Sequence, residues 1–169
     1  MVTFIPINED EFDGFLEESM THFIEDLQTS ENISLEEAEF QAKSQLSTVL
    51  PNGKDSRGHY FFHVVDEDGL VVGYFWLAFK EEKEKKDAFI FDIVIHEDQR
   101  GKGYGKAAML KGEEIAKENG ADKLWLHVIA QNHVALQLYQ KLGYQIIKIY
   151  PMKDGSGDAS YNMAKSLSL

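Results

Sequence analysis

The sequence predicts an α/β fold in which a mixed, mostly antiparallel central sheet is flanked by helices, close to an α+β sandwich. Strand and helix patterns follow in the order strand, two helices, three strands, helix, strand, helix, two strands. The turn Asp66-Glu67-Asp68-Gly69 joins two strand patterns as a hairpin, so the early strands are expected to be antiparallel. A helix then separates two strands, as in a crossover between parallel strands.

The N-terminal part contains one strand pattern and two helix patterns. Residues 2–7 form the strand pattern, and residues 9–28 carry apolar side chains near helical spacing without a proline. Ser34 and the glutamate three residues later match a capping box for a second helix. That helix is expected to end near Leu50, before a loop over residues 51–58.

The middle of the chain carries three strand patterns and one run of charge. Residues 60–65 and 70–79 are the strands of the predicted hairpin. Residues 81–87 are mostly charged, and we expect them to form a solvated connection. Residues 88–95 (AFIFDIVI) are almost continuously apolar, which predicts a central strand.

The last part of the chain alternates helices with strands. A glycine-rich loop precedes a helix that ends at Asn119, where Gly120 is a typical stop signal. Strand 123–129 precedes a helix that Asn132 caps and Gly143 closes. The final strand patterns lie at residues 144–150 and 160–164.

Length and composition exclude several classes of protein. The length of 169 residues fits a single domain over residues 1–169. The absence of cysteine excludes disulfides, thiolate metal sites and cysteine nucleophiles. The net charge of −12 argues against nucleic acid and anionic membranes as partners. Neither an apolar run of roughly eighteen residues nor a secretory signal pattern occurs, so we expect no membrane span and a cytoplasmic location.

Charge is distributed unevenly along the chain. No lysine or arginine precedes Lys43, although many carboxylates do, whereas residues 123–153 contain lysines and no carboxylate. This asymmetry would suit a cationic acceptor that meets an anionic cofactor. The alternative is that the charged helices only keep the surface solvated.

A glycine-rich segment between a strand and a helix predicts a pyrophosphate site. Its residues are Gln99, Arg100, Gly101, Lys102, Gly103, Tyr104, Gly105 and Lys106. Glycines allow consecutive backbone N–H groups to form a concave nest, and the following helix N-terminus adds its positive dipole end. Three cationic side chains add to the attraction for phosphate.

Two other phosphate-binding motifs fit this segment less well. A Walker A loop requires a hydroxyl residue after its lysine, but Ala107 follows Lys106. The spacing of Gly103, Gly105 and Ala108 matches a dinucleotide fingerprint, which also needs an acidic residue near the end of the next strand. That strand lies in the stretch without carboxylates, so the dinucleotide interpretation is rejected.

Two motifs in this half of the chain resemble those of the GNAT N-acetyltransferase superfamily, in its small single-domain bacterial form. Arg100, Gly103 and Gly105 form R-x-x-G-x-G, which resembles that family's coenzyme A pyrophosphate loop. The pattern N-x-x-A-x-x-x-Y-x-K-x-G-[FY] is matched by Asn132, Ala135, Tyr139, Lys141, Gly143 and Tyr144. The elements around both motifs follow the family's order, so the resemblance implies a GNAT-like acyltransferase fold.

The resemblance implies acetyl-CoA as co-substrate, without a metal, and assigns residues to it. The backbone of Ile93, Val94 and Ile95 would pair with the pantetheine arm and offer an N–H to the thioester carbonyl. Residues 99–106 would hold the pyrophosphate. Asn132 would bind the pantetheine or nearby backbone besides capping its helix.

Two side chains are candidates for catalysis. The resemblance would place Tyr139 near the sulfur, where it would protonate the departing thiolate, although its position also suits a core residue. Asp92 is the lone carboxylate in its apolar strand, where desolvation would raise its pKa toward that of a general base. The alternative is that Asp92 marks a bulge or points to solvent.

The histidines do not predict a metal site. His59 and His63 lie four residues apart, which on a strand separates their rings by roughly 13 Å. His127, on its strand, could face either the acceptor or the core.

Together these observations predict transfer of an acetyl group from acetyl-CoA to a primary amine by direct attack. The acceptor would be a cationic amine such as a polyamine, an aminoglycoside or a basic peptide terminus. A protein N-terminal or lysine acetyltransferase and a non-catalytic coenzyme A-binding protein are the alternatives. We expect residues 1–58 on the acceptor side, 59–150 as the acetyl-CoA-binding core and 151–169 as a C-terminal loop and strand. Exposed edge strands would allow a homodimer.

Overall fold

The computed structural model describes residues 1–168, and in them seven strands form one sheet. The strands are β1 (Thr3–Pro6), β2 (His59–Val65), β3 (Val71–Glu82), β4 (Lys85–Ile95), β5 (Lys123–Ile129), β6 (Gln145–Pro151) and β7 (Asp158–Ser166). Their order across the sheet is β1-β2-β3-β4-β5-β7-β6. Only β4 and β5 pair in parallel; the other neighbours are antiparallel. The predicted mixed sheet is confirmed.

Four helices cover the two faces of this sheet. They are α1 (Glu9–Glu31), α2 (Leu35–Val49), α3 (Tyr104–Glu118) and α4 (His133–Lys141). Ser34 caps α2 as predicted, whereas the reciprocal capping box lies at Asn8 and Glu11, at the start of α1. Helix α1 continues past residue 28 and ends where Asn32 takes a left-handed conformation. Within residues 1–168, none of the helices is both long and apolar enough to cross a membrane.

The sheet separates the core into two layers, and alternate side chains of strand β3 pack into one layer or the other. Tyr74 and Trp76 pack on the side of α1 and α2. Phe75 and Leu77 pack on the side of α3 and α4. Helix α3 approaches so closely at Gly112 that an added Cβ atom would lie 2.5 Å from the Phe75 ring. The glycine therefore sets the distance between α3 and the sheet.

The charged run at residues 81–87 is mostly exposed and connects two strands, as predicted, but it does so as paired strand ends rather than as a loop. Strands β3 and β4 continue through it to a two-residue turn at Lys83 and Glu84, both with positive φ. Glu81 lies opposite Lys86, and their charged atoms are 3.7 Å apart. The charges alternate in sign across the hairpin, so a polar run can form paired strands.

Strands β4 and β5 separate at their carboxyl ends, and this opening positions the site. They pair only where residues 87–90 of β4 lie beside residues 123–126 of β5. A bulge then places Phe91 as an extra residue, because Trp76 lies opposite Asp92 and Leu77 opposite Ile90. Beyond the bulge, β4 pairs with β3 alone.

Candidate active site

The free edge of β4 lies in the opening between β4 and β5. Ile93, Val94 and Ile95 pair with β3 on one side and have no strand partner on the other. Peptide groups on such an edge can bind an extended ligand as an additional strand would. At its end, the Ile95 carbonyl accepts a 2.9 Å hydrogen bond from Nε of Arg100, which ties the glycine-rich loop to the strand.

The glycine-rich loop forms a cradle of backbone N–H groups at the start of α3. Gly101 and Gly103 have φ of 77° and 85°, which few other residues adopt easily. Gly103 is the N-cap of α3 and supplies no side-chain hydrogen bond, so the first amides of the helix remain available to an anion. Lys102 contacts Gln99 at 3.2 Å, and Lys106 is exposed. This geometry fits a diphosphate.

Tyr139 lies on the inner face of α4 and is 8% exposed. Its ring packs edge-on against Tyr144, with centroids 6.2 Å apart. Within residues 1–168 its hydroxyl has no hydrogen-bond partner, and its pKa is raised to about 12 by burial and then by the charges of Asp92 and Asp26. The hydroxyl thus stays protonated and is free to donate. The ring belongs to the core, and the catalytic role stays a prediction.

Asp92 follows the bulge and faces a cavity on the α1 side of the sheet. The Ser19 hydroxyl donates a 2.6 Å hydrogen bond to its Oδ2 atom. Burial raises the pKa of the Asp92 carboxyl, and the contacts with Ser19, His22 and Tyr74 oppose that rise. The bulge that sequence analysis considered therefore falls one residue earlier, at Phe91, and turns Asp92 toward the cavity. Its role as a base stays a prediction.

The cavity has a volume of about 670 Å³ and lies between α1, α2 and the sheet. Its α1 wall carries Ser19, His22, Asp26, Ser30 and Glu31, and its sheet wall carries Trp76, Phe91 and Trp125. Such a volume is typical of small-molecule sites. The α1 wall thus contributes two carboxylates among other polar side chains, and the sheet wall contributes aromatic rings.

Asp26 is the principal residue of the cavity that sequence analysis missed. Its side chain is exposed to the solvent of the cavity, yet its surroundings raise its pKa to about 6. Partial burial is the larger cause, and the negative charge of Asp92 adds to it. Two neighbouring carboxylates repel each other, and a bound cation relieves this repulsion. The pair therefore favours the binding of a cation.

The histidines are distributed between separate partners. His59 accepts a 3.0 Å hydrogen bond from the Trp76 indole, and His63 lies 3.1 Å from Glu11. Among residues 1–168 no three His, Asp or Glu side chains are grouped so that they could hold a metal ion. His127 faces the cavity, where its Nδ1 lies 2.7 Å from Oδ1 of Asn162.

Comparisons with known proteins identify the family. The sequence profile of the Acetyltransferase (GNAT) family matches residues 15–144, more than half of the chain. The chain belongs to the GNAT family. Two relatives from Bacillus subtilis strain 168 are similar along most of their length. The uncharacterized N-acetyltransferase YdgE is 36% identical over 85% of this chain and 91% of its own, and YycN is 31% identical over 83% and 90%.

Solved structures of GNAT proteins share the fold. The crystal structure of YycN superposes with a TM-score of 0.84, at 29% identity over 90% of this chain and 98% of its own. A spermidine N-acetyltransferase from Vibrio cholerae, in complex with CoA and spermine, superposes with a TM-score of 0.69. Its identity is 16% over 98% of this chain and 95% of its own, so it supports the fold alone.

Membership of the GNAT family makes this chain an acetyl-CoA-dependent N-acetyltransferase, as the two motifs predicted. Acetyl-CoA is the co-substrate, and the cradle at residues 99–106 and the free edge of β4 fit its diphosphate and its pantetheine arm. Asn132 accepts a 3.3 Å hydrogen bond from the Ala135 amide, so its capping role is confirmed. Its role toward the pantetheine stays a prediction.

Proposed function

We propose that this enzyme acetylates a cationic primary amine of small size, and that the acceptor binds in the cavity between α1, α2 and the sheet. The observation that carries the proposal is the charge of the cavity lining. The described lining contains three carboxylate side chains, those of Asp26, Glu31 and Asp92. Lys153 is the one lysine or arginine side chain among the described lining residues. An anionic cavity raises the local concentration of a cation and favours its binding.

The position of Asp92 suits the first proton transfer of the reaction. An ammonium ion cannot attack a carbonyl carbon, so a base must take one of its protons. The Asp92 carboxylate lines the cavity beside the opening of the sheet, and burial holds its pKa above the usual range. It would accept that proton and leave a neutral amine beside the free edge of β4.

Acetyl-CoA supplies the activated acyl group as a thioester, and this chain's residues position and protonate the reacting atoms. A backbone N–H within Ile93, Val94 and Ile95 would donate to the carbonyl oxygen while the C–N bond forms. As the C–S bond breaks, the Tyr139 hydroxyl would give its proton to the sulfur. The nitrogen would lose its second proton as the amide forms, and this proton restores the tyrosine hydroxyl. The raised pKa of Tyr139 keeps that proton in place until the sulfur becomes basic.

Thiol release over a panel of amines tests the proposal. We expect turnover with small cationic amines such as diamines and aminoglycosides, and little with amines that carry carboxylates. Turnover of basic peptides alone would favour the protein acetyltransferase alternative. Binding of acetyl-CoA in calorimetry without release of thiol from any amine would overturn the proposal in favour of a non-catalytic binder.

A further inference from the structure

We infer that the acceptor carries two cationic centres joined by an apolar spacer, and that Asp26 and Glu31 bind the centre that does not react while Asp92 serves the amine that does. This inference rests on the proposed function and specifies its substrate class. It follows from where the carboxylates lie along the cavity, what the opposite wall offers and which polar atom lacks a partner.

The carboxylates extend along the cavity: Asp92 is near enough to Asp26 to raise the pKa of Asp26, and Glu31 lies farther along α1. The hydrogen bond from Ser19 to Asp92 fixes where the reacting end lies along α1. From Ser19 to Asp26 the helix advances about 10 Å, and from there to Glu31 roughly 8 Å more, at 1.5 Å per residue. All four residues line the cavity. An elongated acceptor can therefore contact Asp92 with one end and Asp26 or Glu31 with the other.

Glu31 provides an independent indication of a ligand. Its Oε2 atom is buried and has no hydrogen-bond partner among residues 1–168. A buried carboxylate oxygen without a donor is costly, since burial removes its hydration without replacing it. An ammonium group has three donors and no acceptor, so it is the kind of ligand that would satisfy this oxygen.

The aromatic wall suits the spacer. Trp76 stacks against Phe91 with centroids 4.9 Å apart, and both line the cavity. The Trp76 and Trp125 indole N–H groups already donate to His59 and Asp87. Each indole therefore offers its apolar ring to the cavity rather than a donor. Such faces favour methylene groups, and their π-electrons attract ammonium groups.

The remaining charge in the lining supports this orientation. Lys153 lies in the turn between β6 and β7 and also lines the cavity. Its positive charge repels a cation that comes near it, so the second cationic centre is more stable beside the carboxylates of α1.

1,8-Diaminooctane and n-octylamine form the matched pair of acceptors for the test. They share the same carbon chain, which is long enough to follow α1 from Ser19 to Asp26, and only the diamine has a second ammonium group. We expect kcat/KM for the diamine to exceed that for n-octylamine by at least about tenfold, because a charge-assisted contact contributes at this level. Asp26→Asn and Glu31→Gln should each reduce this ratio several-fold, mainly through KM for the diamine.

Glu17→Gln is the matched control, since Glu17 is exposed on α1 and does not line the cavity. It removes the same charge and should leave the ratio unchanged. Retained acetyl-CoA binding in calorimetry shows that each variant is folded. Equal kcat/KM for the two amines in the wild type, or an unchanged ratio in both cavity variants, would overturn the inference while amine acetylation stands. Absence of turnover with every amine would instead refute the proposed function.

Discussion

The hydrogen bond from Ser19 to Asp92 gives a direct test of Asp92 as the base. Its length of 2.6 Å is typical of a hydroxyl that donates to an ionised carboxylate. A hydrogen bond to a charged group contributes about 1.5–3 kcal/mol, and about 1.36 kcal/mol corresponds to one pH unit. Ser19→Ala destabilises the charged form of Asp92 and so raises its pKa. The acidic limb of kcat/KM should therefore move to higher pH by about one to two units.

The assay is the pH profile of kcat/KM with a cationic amine that supports turnover, followed by thiol release. Ser47→Ala is the control, because the Ser47 hydroxyl donates to the Lys43 backbone carbonyl on the exposed side of α2. It should leave the acidic limb in place. If Ser19→Ala leaves that limb unmoved, or if both variants move it equally, Asp92 does not act as the base. Unchanged acetyl-CoA affinity in both variants shows that the comparison reports on the acceptor side.

Three further outcomes follow from the geometry of the site. Tyr139→Phe should lower kcat about a hundredfold with little change in the Kd of acetyl-CoA, because the Tyr139 hydroxyl stays protonated and is free to donate. Single-turnover kinetics and calorimetry check this. Asp26→Asn should raise the Tm by about 2–4 °C well above pH 6 and leave it unchanged below pH 3.8. The raised pKa of Asp26 means that its ionisation destabilises the fold as pH rises through about 6. Because solvent in the cavity screens the charge, the effect is limited to about 1 kcal/mol. Gly103→Ala should weaken acetyl-CoA binding measurably, because φ of 85° costs about 1–2 kcal/mol in a residue with a Cβ atom. Gly155→Ala is the control: Gly155 has φ of 75° in a surface turn, and its substitution should affect stability alone.

The local structure of the proposed cofactor side was predictable because its signals are local in sequence. The glycine pattern at residues 99–106 determines a loop and a helix start with little help from distant residues. Asn132 and Tyr139 lie on one short helix whose cap and inner face follow from spacing. In each case a short segment contains both the signal and the structure it determines.

The acceptor side was less predictable because it depends on contacts between distant segments. Asp26 is one of many carboxylates in α1, and nothing local distinguishes it from Glu17 or Glu25. Its neighbour Asp92 lies in β4, and only the tertiary fold brings the two together. Helical spacing from Ser19 through Asp26 to Ser30 would have indicated a shared face, but not which face meets the cavity. The charged strand ends at 81–87 were missed for a related reason, since their pairing decides their structure.

The bulge at Phe91 lies between the residues that we propose for the two halves of the reaction. One extra residue shifts every later side chain of β4 relative to β3, and this puts the Asp92 carboxylate in the cavity opposite Ser19. The pairing of β4 with β5 also ends at Ile90, one residue before the bulge. The edge of β4 from Ile93 to Ile95 is therefore open on the β5 side. The same irregularity therefore coincides with the start of the cofactor edge and with the turn of the carboxylate toward the acceptor. Because both lie within a few residues of one strand, backbone geometry rather than flexible side chains would set the relative position of the proposed proton acceptor and the acyl group.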